Sequence, residues 1–231
     1  MMITGSDRTD GEADPRDTPL YRHPSLDTLT ERALHLADAG RALLGIVGEP
    51  GAGKSTFAQQ LLARLEKERP GLAVAVSMDG FHLAQKVIDA RGQAAGKGTI
   101  DTFDADGFLA LLRRTRAETS NTVWWPEFDR DLEDAVAGST EVAERHRLVI
   151  VDGNFLLAAQ GPWQQVKDVL DETWFLDALP ESRRARLTRR YISYGFTPEA
   201  ARAKTLGVDE DTSALVRSTL SRADLVLDEL G

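Results

Sequence analysis

A short apolar run, Ala42 to Val47, empties into Gly48-Glu49-Pro50-Gly51-Ala52-Gly53-Lys54-Ser55-Thr56. This junction constrains the fold more than any other stretch of the chain. The spacing is G-x-x-x-x-G-K-[ST], placed between a strand-like and a helix-like pattern, which is the context this motif needs. Glycines let backbone N–H groups turn toward phosphates, and the N-terminus of the following helix adds a positive field. Lys54 is placed to reach the β- and γ-phosphates, the Ser55 hydroxyl to ligate Mg²⁺, and Thr56 to hold an α-phosphate. The expected ligand is therefore ATP with Mg²⁺, bound along Gly48–Thr56.

The rest of the chain repeats the alternation that this junction begins. Buried strands are expected at 42–47, 72–79, 147–153 and 173–177, with a last one in "LVLDEL". Helices are expected at 25–40, with Ser25 as N-cap, at 56–68, at 104–118, with Asp104 as N-cap, at 163–171 and at 180–195. Two more are expected in "TPEAARAKTLG" and "DTSALVRSTLSRA". Apolar strands without alternation, separated by helices, predict an α/β fold: a doubly wound parallel sheet covered on both faces. Such sheets bind ligands beyond the carboxyl ends of their strands. Residues 121–146 break the pattern and read as a strand pair or an irregular insert on the acceptor side. Residues 1–24, rich in Asp, Gly, Pro and Thr, predict a disordered or loosely docked arm ahead of one domain spanning 25–231.

Composition narrows the function. A net charge of −9 argues against a nucleic-acid partner, which calls for a basic face. The absence of cysteine excludes disulfides, thiol catalysis and cysteine-bound metals. No apolar run is long enough to span a membrane, and the polar, acidic start is not a secretory signal, so a cytoplasmic enzyme is expected.

Two acids stand at predicted strand ends. "VIVDG" delivers Asp152, a Walker B pattern that holds Mg²⁺ directly or through water. "SMDGFH" delivers Asp79, placed to take the proton of an attacking hydroxyl. His82 is either a substrate contact or a polar wall residue. The 180–195 helix carries Arg183, Arg184, Arg186, Arg189 and Arg190, the pattern of a lid that brings arginine to a transferring phosphoryl group. Arg186 and Arg190 share a face, with Arg183 one turn before, while Arg189 points about 100° from Arg190. The aromatic cluster Trp124, Trp125 and Phe128 fits either ring stacking or core packing.

Taken in order, "GEPGAGKST", "SMDGFH", "GTIDTFDADGF", "PEFDR", "VDGNF", "RLTRRY" and "SRADLVL" resemble the phosphoribulokinase and uridine kinase family of P-loop kinases over roughly residues 26–230. The nearest likeness is its nucleoside/nucleotide kinase-like, fructose-transport-system kinase-like branch, related to pantothenate kinase. The resemblance implies transfer of the ATP γ-phosphate to a hydroxyl of a sugar, nucleoside or pantothenate-like metabolite. It makes Asp79 the catalytic base, acting with Lys54, Arg186 and Arg190. Phe81, His82, Phe128, Asp129, Arg130 and Asn154 become acceptor-side residues, and Arg189 and Arg222 nucleotide-side ones. Relatives of this kind often pair, which leaves a homodimer and a monomer both open. Three positions depart from the family pattern: Asp152 stands where Glu is usual, Gly96-Lys97-Gly98 where relatives carry "RKG", and Ser213 where Asn is common. Two other classes share the phosphate-loop motif. A GTPase switch lacks its N-K-x-D element, and a nucleotide-binding regulator without turnover has no need of Asp79 and the arginine lid together.

Overall fold

Ser25 starts the first helix for a local reason: its Oγ accepts the Thr28 N–H at 3.1 Å, satisfying one of the donors that every helix start leaves open. The computed structural model describes residues 20–21, 25–93 and 97–228. In chain order these form β1 (Leu20–Tyr21), α1 (Leu26–Leu36), β2 (Ala42–Gly48), α2 (Lys54–Glu68), β3 (Ala73–Ser77), α3 (Gln85–Ala90), α4 (Ala105–Ala117), β4 (Val123–Asp129), β5 (Asp134–Val142), β6 (Leu148–Gly153), β7 (Glu172–Asp177), α5 (Pro180–Ser193), α6 (Pro198–Leu206), α7 (Val208–Arg217) and β8 (Leu225–Asp228). The expected arm at 1–24 lies outside the described residues apart from Leu20–Tyr21, whose backbone pairs with the outer strand. Gly96 and residues 229–231 also lie outside them.

Six strands form one parallel sheet in the order β1-β8-β7-β2-β6-β3. The chain leaves β2 toward β3 on one side and later builds β7 and β8 on the other. The order therefore reverses at β2, and its carboxyl end is the switch point where such sheets take ligands. Successive side chains of β2 point to opposite faces and meet two different cores. Leu43 and Val47 pack with Phe108 and Leu112 of α4 and with Trp125. Leu44 and Ile46 pack with Leu29 of α1 and with Phe57, Leu61 and Leu65 of α2. Every residue of β2 and of β6 is buried, which explains why neither reads as amphipathic.

Two expectations change. The 163–171 segment is two short 3₁₀ turns, Gly161–Gln165 and Lys167–Val169. Within the two turns the buried residues Trp163, Val166 and Val169 repeat every three positions, the period of that tighter helix, and Leu170 is buried just after them. The second strand ends at Ser77, two residues before Asp79. The Ser77 Oγ accepts the Asp79 N–H at 3.2 Å and starts a 3₁₀ turn over Met78–Phe81.

Residues 121–146 do form an antiparallel pair, β4 with β5, outside the main sheet. Its register shifts between Trp125 and Glu127, at Pro126, as expected for a proline that cannot donate to a ladder. Trp125 anchors the pair. It is fully buried, and its Nε1–H donates to Thr115 of α4 at 2.9 Å.

Candidate active site

The loop after β2 has the geometry that its glycines require. Gly51 lies at φ +77° and Gly53 at +96°, in the left-handed region that side chains disfavour. Gly51 also admits no side chain: a Cβ there would stand 2.7 Å from the backbone oxygen of Arg183. The loop therefore packs directly on α5.

Lys54 Nζ donates to the backbone oxygens of Gly48 at 2.9 Å and Glu49 at 3.1 Å, and to Asn154 Oδ1 at 2.5 Å. Burial lowers its pKa to about 8, with Asp152 and Asp79 opposing the shift. Ser55 Oγ donates to Asp152 Oδ2 at 2.5 Å. Burial pushes the Asp152 carboxyl up, and hydrogen bonds from Ser55 and Ser77 pull it back. A buried carboxylate beside a hydroxyl, both hard oxygen donors, fits Mg²⁺ held by few protein ligands and several waters.

Three cavities meet here. One of about 300 Å³ lies between Gly53–Thr56 and the side chains of Arg186 and Arg190. A second of about 200 Å³ continues from Thr56 and Gln60 to Leu176–Ala178 and Leu227–Asp228, at the carboxyl ends of β7 and β8. The third, about 380 Å³, carries Lys54, Asp79 and Asp152 at one end and is walled by the β4–β5 hairpin and by α5–α7.

Asp79 is held from three directions. Arg130 Nη2 donates to its Oδ2 at 2.9 Å. The His82 Nδ1 lies 2.9 Å from its backbone oxygen, which can only accept, so Nδ1 carries the proton. Burial lowers the pKa of His82, keeping the ring neutral. Gly80 allows the hairpin to close on this turn, because a Cβ there would stand 2.3 Å from the Pro126 oxygen.

Several expected site residues are elsewhere. Glu49 does not face phosphate. Its side chain is 2% exposed and pairs with Arg183 at 3.1 Å and Arg217 at 2.7 Å, bracing the loop. Arg183 is itself 1% exposed and donates to the Pro50 oxygen and Ser213 Oγ, so the start of α5 is clamped to the loop. Arg184 pairs with Glu210 on the surface. Arg189 is turned back on its own helix, donating to the Ala185 oxygen. Arg222 donates to the Leu157 oxygen and ties down the segment after β6. Phe81 packs edge-on against Phe108 and Trp125, as strand-to-turn alternation demands. Asp129 accepts the N–H groups of Asp131 and Leu132 and shapes the hairpin turn. Of the aromatic cluster, Trp125 is core, Trp124 is 55% exposed and Phe128 faces the cavity.

Glu133, Tyr191, Lys204 and Asp209, which the motifs did not single out as site residues, also line the acceptor-side cavity with Lys97. Tyr191 and Asp209 are joined at 3.1 Å, and burial raises the pKa of both. The second oxygen of Asp209, Oδ2, is buried without a hydrogen-bond partner, an omission that costs about 1–3 kcal/mol. Only the tyrosine of "RLTRRY" signalled this wall, because α6 and α7 return to it through tertiary packing.

Residues 43–231 match the family model described as phosphoribulokinase / uridine kinase family. A Schizosaccharomyces pombe protein named "Putative uridine kinase C227.14" is 32% identical over 215 residues, 89% of this chain and 91% of that protein. The crystal structure of a "putative fructose transport system kinase" from Silicibacter sp. TM1040 superposes with a TM-score of 0.80 at 33% identity, covering 88% of this chain and 98% of that one. YFH7 from Saccharomyces cerevisiae shares the fold, with a TM-score of 0.79 at 18% identity over 90% of this chain and 99% of that one.

Proposed function

The chain belongs to the phosphoribulokinase/uridine kinase family of P-loop kinases, and from that premise we propose that it transfers the ATP γ-phosphate to a hydroxyl of a small metabolite. One observation carries the reading. Lys54, the Ser55–Asp152 pair and Asp79 converge at one end of a single cavity whose far walls are the β4–β5 hairpin, α6 and α7.

The chemistry follows from placement. Gly48–Thr56 would cradle the phosphates, with Lys54, which donates to Asn154 Oδ1, placed to reach the β- and γ-oxygens. Ser55 and Asp152 would hold Mg²⁺, which would supply neutralisation of charge on the transferring group. Arg186 and Arg190 approach the same phosphates from α5. Asp79 accepts the proton of the acceptor hydroxyl as that oxygen attacks in line, and Arg130 fixes its orientation. The hairpin wall and α5–α7 keep out water, which would otherwise compete as acceptor. Among the described residues no helix is long and apolar enough to cross a membrane, and the charge and composition support a cytoplasmic location.

The test is ADP release from MgATP across nucleosides, aldoses, ketoses, pantothenate and sugar phosphates, with Asp79→Asn as blank. Acceptor-dependent turnover lost by about 10²–10⁴ in the variant is the expected result. Unchanged turnover in Asp79→Asn removes the base assignment.

A further inference from the structure

We infer that Arg217, which lies outside every motif, is a positioning residue for the nucleotide: it joins the phosphate loop to the wall of the neighbouring cavity where the ladder between their strands ends. The inference rests on the nucleotide half of the kinase reading and adds a residue to it.

The cavity of about 200 Å³ at the ends of β7 and β8 shares Gly53, Thr56 and Arg186 with the phosphate site. A nucleotide anchored by its phosphates would run on into it. Phe57, Leu176 and Leu227 give this cavity apolar walls suited to a base, and Asp177 stands among them.

β2 and β7 pair in parallel as far as Gly48 opposite Leu176. The backbones are close there, since a Cβ on Gly48 would stand 2.9 Å from the Leu176 oxygen. The next residue on each side is an acid, Glu49 in the loop and Asp177 at the end of β7. Two carboxylates side by side repel. Arg217, the last residue of α7, stands between them. Its Nη2 donates to Glu49 Oε2 at 2.7 Å and to Asp177 Oδ1 at 2.7 Å. One guanidinium nitrogen thus takes the place of the next rung, with charge-assisted bonds on both sides.

The two acids depend on it unequally. Glu49 keeps Arg183 at 3.1 Å when Arg217 is gone. Asp177 pairs, among the described residues, with Arg217 alone. Loss of the arginine therefore frees the cavity wall rather than the loop, and leaves a bare carboxylate facing an anionic ligand. Arg217 itself lines none of the three cavities, so it acts through Glu49 and Asp177.

Calorimetric titration with MgATP, and with magnesium tripolyphosphate, which lacks base and sugar, tests the two ends of the site separately. Arg217→Met is expected to weaken MgATP by about tenfold and tripolyphosphate by less than about threefold. Arg217→Lys is expected to keep most of the affinity, because an ammonium can also donate to both acids. Arg217→Met combined with Asp177→Asn should bind MgATP no more weakly than Arg217→Met alone, since both changes remove the same link. In turnover, the KM for MgATP should rise while kcat stays within about threefold. A merely structural role would weaken both ligands alike, with no rescue by lysine. Should Arg217→Met fail to fold, Asp177→Asn carries the test, with MgATP weakened by about threefold and tripolyphosphate unchanged. MgATP affinity unmoved by these variants overturns the inference, as do losses that add in the double variant or an equal loss of tripolyphosphate. The kinase reading fails separately, if no acceptor gives ADP that depends on Asp79 while the effect of Arg217 on MgATP binding stands. A wild-type protein that binds no MgATP overturns both.

Discussion

Arg130 Nη2 lies 2.9 Å from Asp79 Oδ2, and the guanidinium rests over Phe128 at 4.8 Å. The proposed base is thus oriented by a residue of the acceptor-side hairpin. Removing the arginine leaves Asp79 chemically intact but free to turn. Arg130→Gln should lower kcat by about tenfold, well short of the loss in Asp79→Asn. Steady-state kinetics on both variants checks this ordering, and equal losses would show that Arg130 does more than position the base.

Lys54 makes nucleotide binding sensitive to pH. Its pKa of about 8 in the empty site means that it is charged below that pH and neutral above. Phosphates need the charged form, so binding above pH 8 must take up a proton. MgATP affinity should be level below pH 8 and fall by about tenfold per unit above it. Calorimetry in buffers of different ionisation enthalpy should show proton uptake growing over the same range, and Lys54→Arg should abolish it.

The Glu49–Arg183–Arg217 cluster bears on stability. Arg183→Met leaves Glu49, 2% exposed, with Arg217 alone. Breaking a buried pair from one side costs about 3–5 kcal/mol. Arg217 is 42% exposed, so Arg217→Met should cost nearer about 1 kcal/mol. Urea midpoints of the two variants give the comparison, and similar costs would mean that burial does not govern the network.

Gly80→Ala places a Cβ 2.3 Å from the Pro126 oxygen and must push the hairpin away from the Asp79 turn. Acceptor kcat/KM should fall by about 10²-fold with MgATP affinity preserved. A loss of nucleotide affinity would show instead that the hairpin supports the phosphate loop.

What could be read from the sequence was what each segment carries locally. The phosphate loop brings its own geometry to Lys54 and Ser55, and the strand end at Asp152 meets Ser55 beside it. Asp104 caps α4 through the Gly107 N–H, as its position before the helical run implied. Arg186 and Arg190 share a face because helical spacing dictates it. The failures lay where a motif was taken whole. Phe81 and Asp129 sit inside strings that belong to the site, yet one faces the core and the other a turn. Asp209 and Lys204 have no local signature, since their place is set by how α6 and α7 fold back on α5.

The β4–β5 hairpin shares no ladder with the six-stranded sheet and is fastened to the body through Trp125 and the Gly80 contact. The surface that meets the acceptor is therefore mechanically separate from the strands that carry the nucleotide. Residues 131–133 at its tip, beyond the Arg130 that holds Asp79, can be rewritten without disturbing the register of any strand beneath the phosphates. Sites that share no contacts tend to vary independently. A scaffold built this way can exchange one acceptor for another in few mutational steps while its ATP-handling half stays fixed.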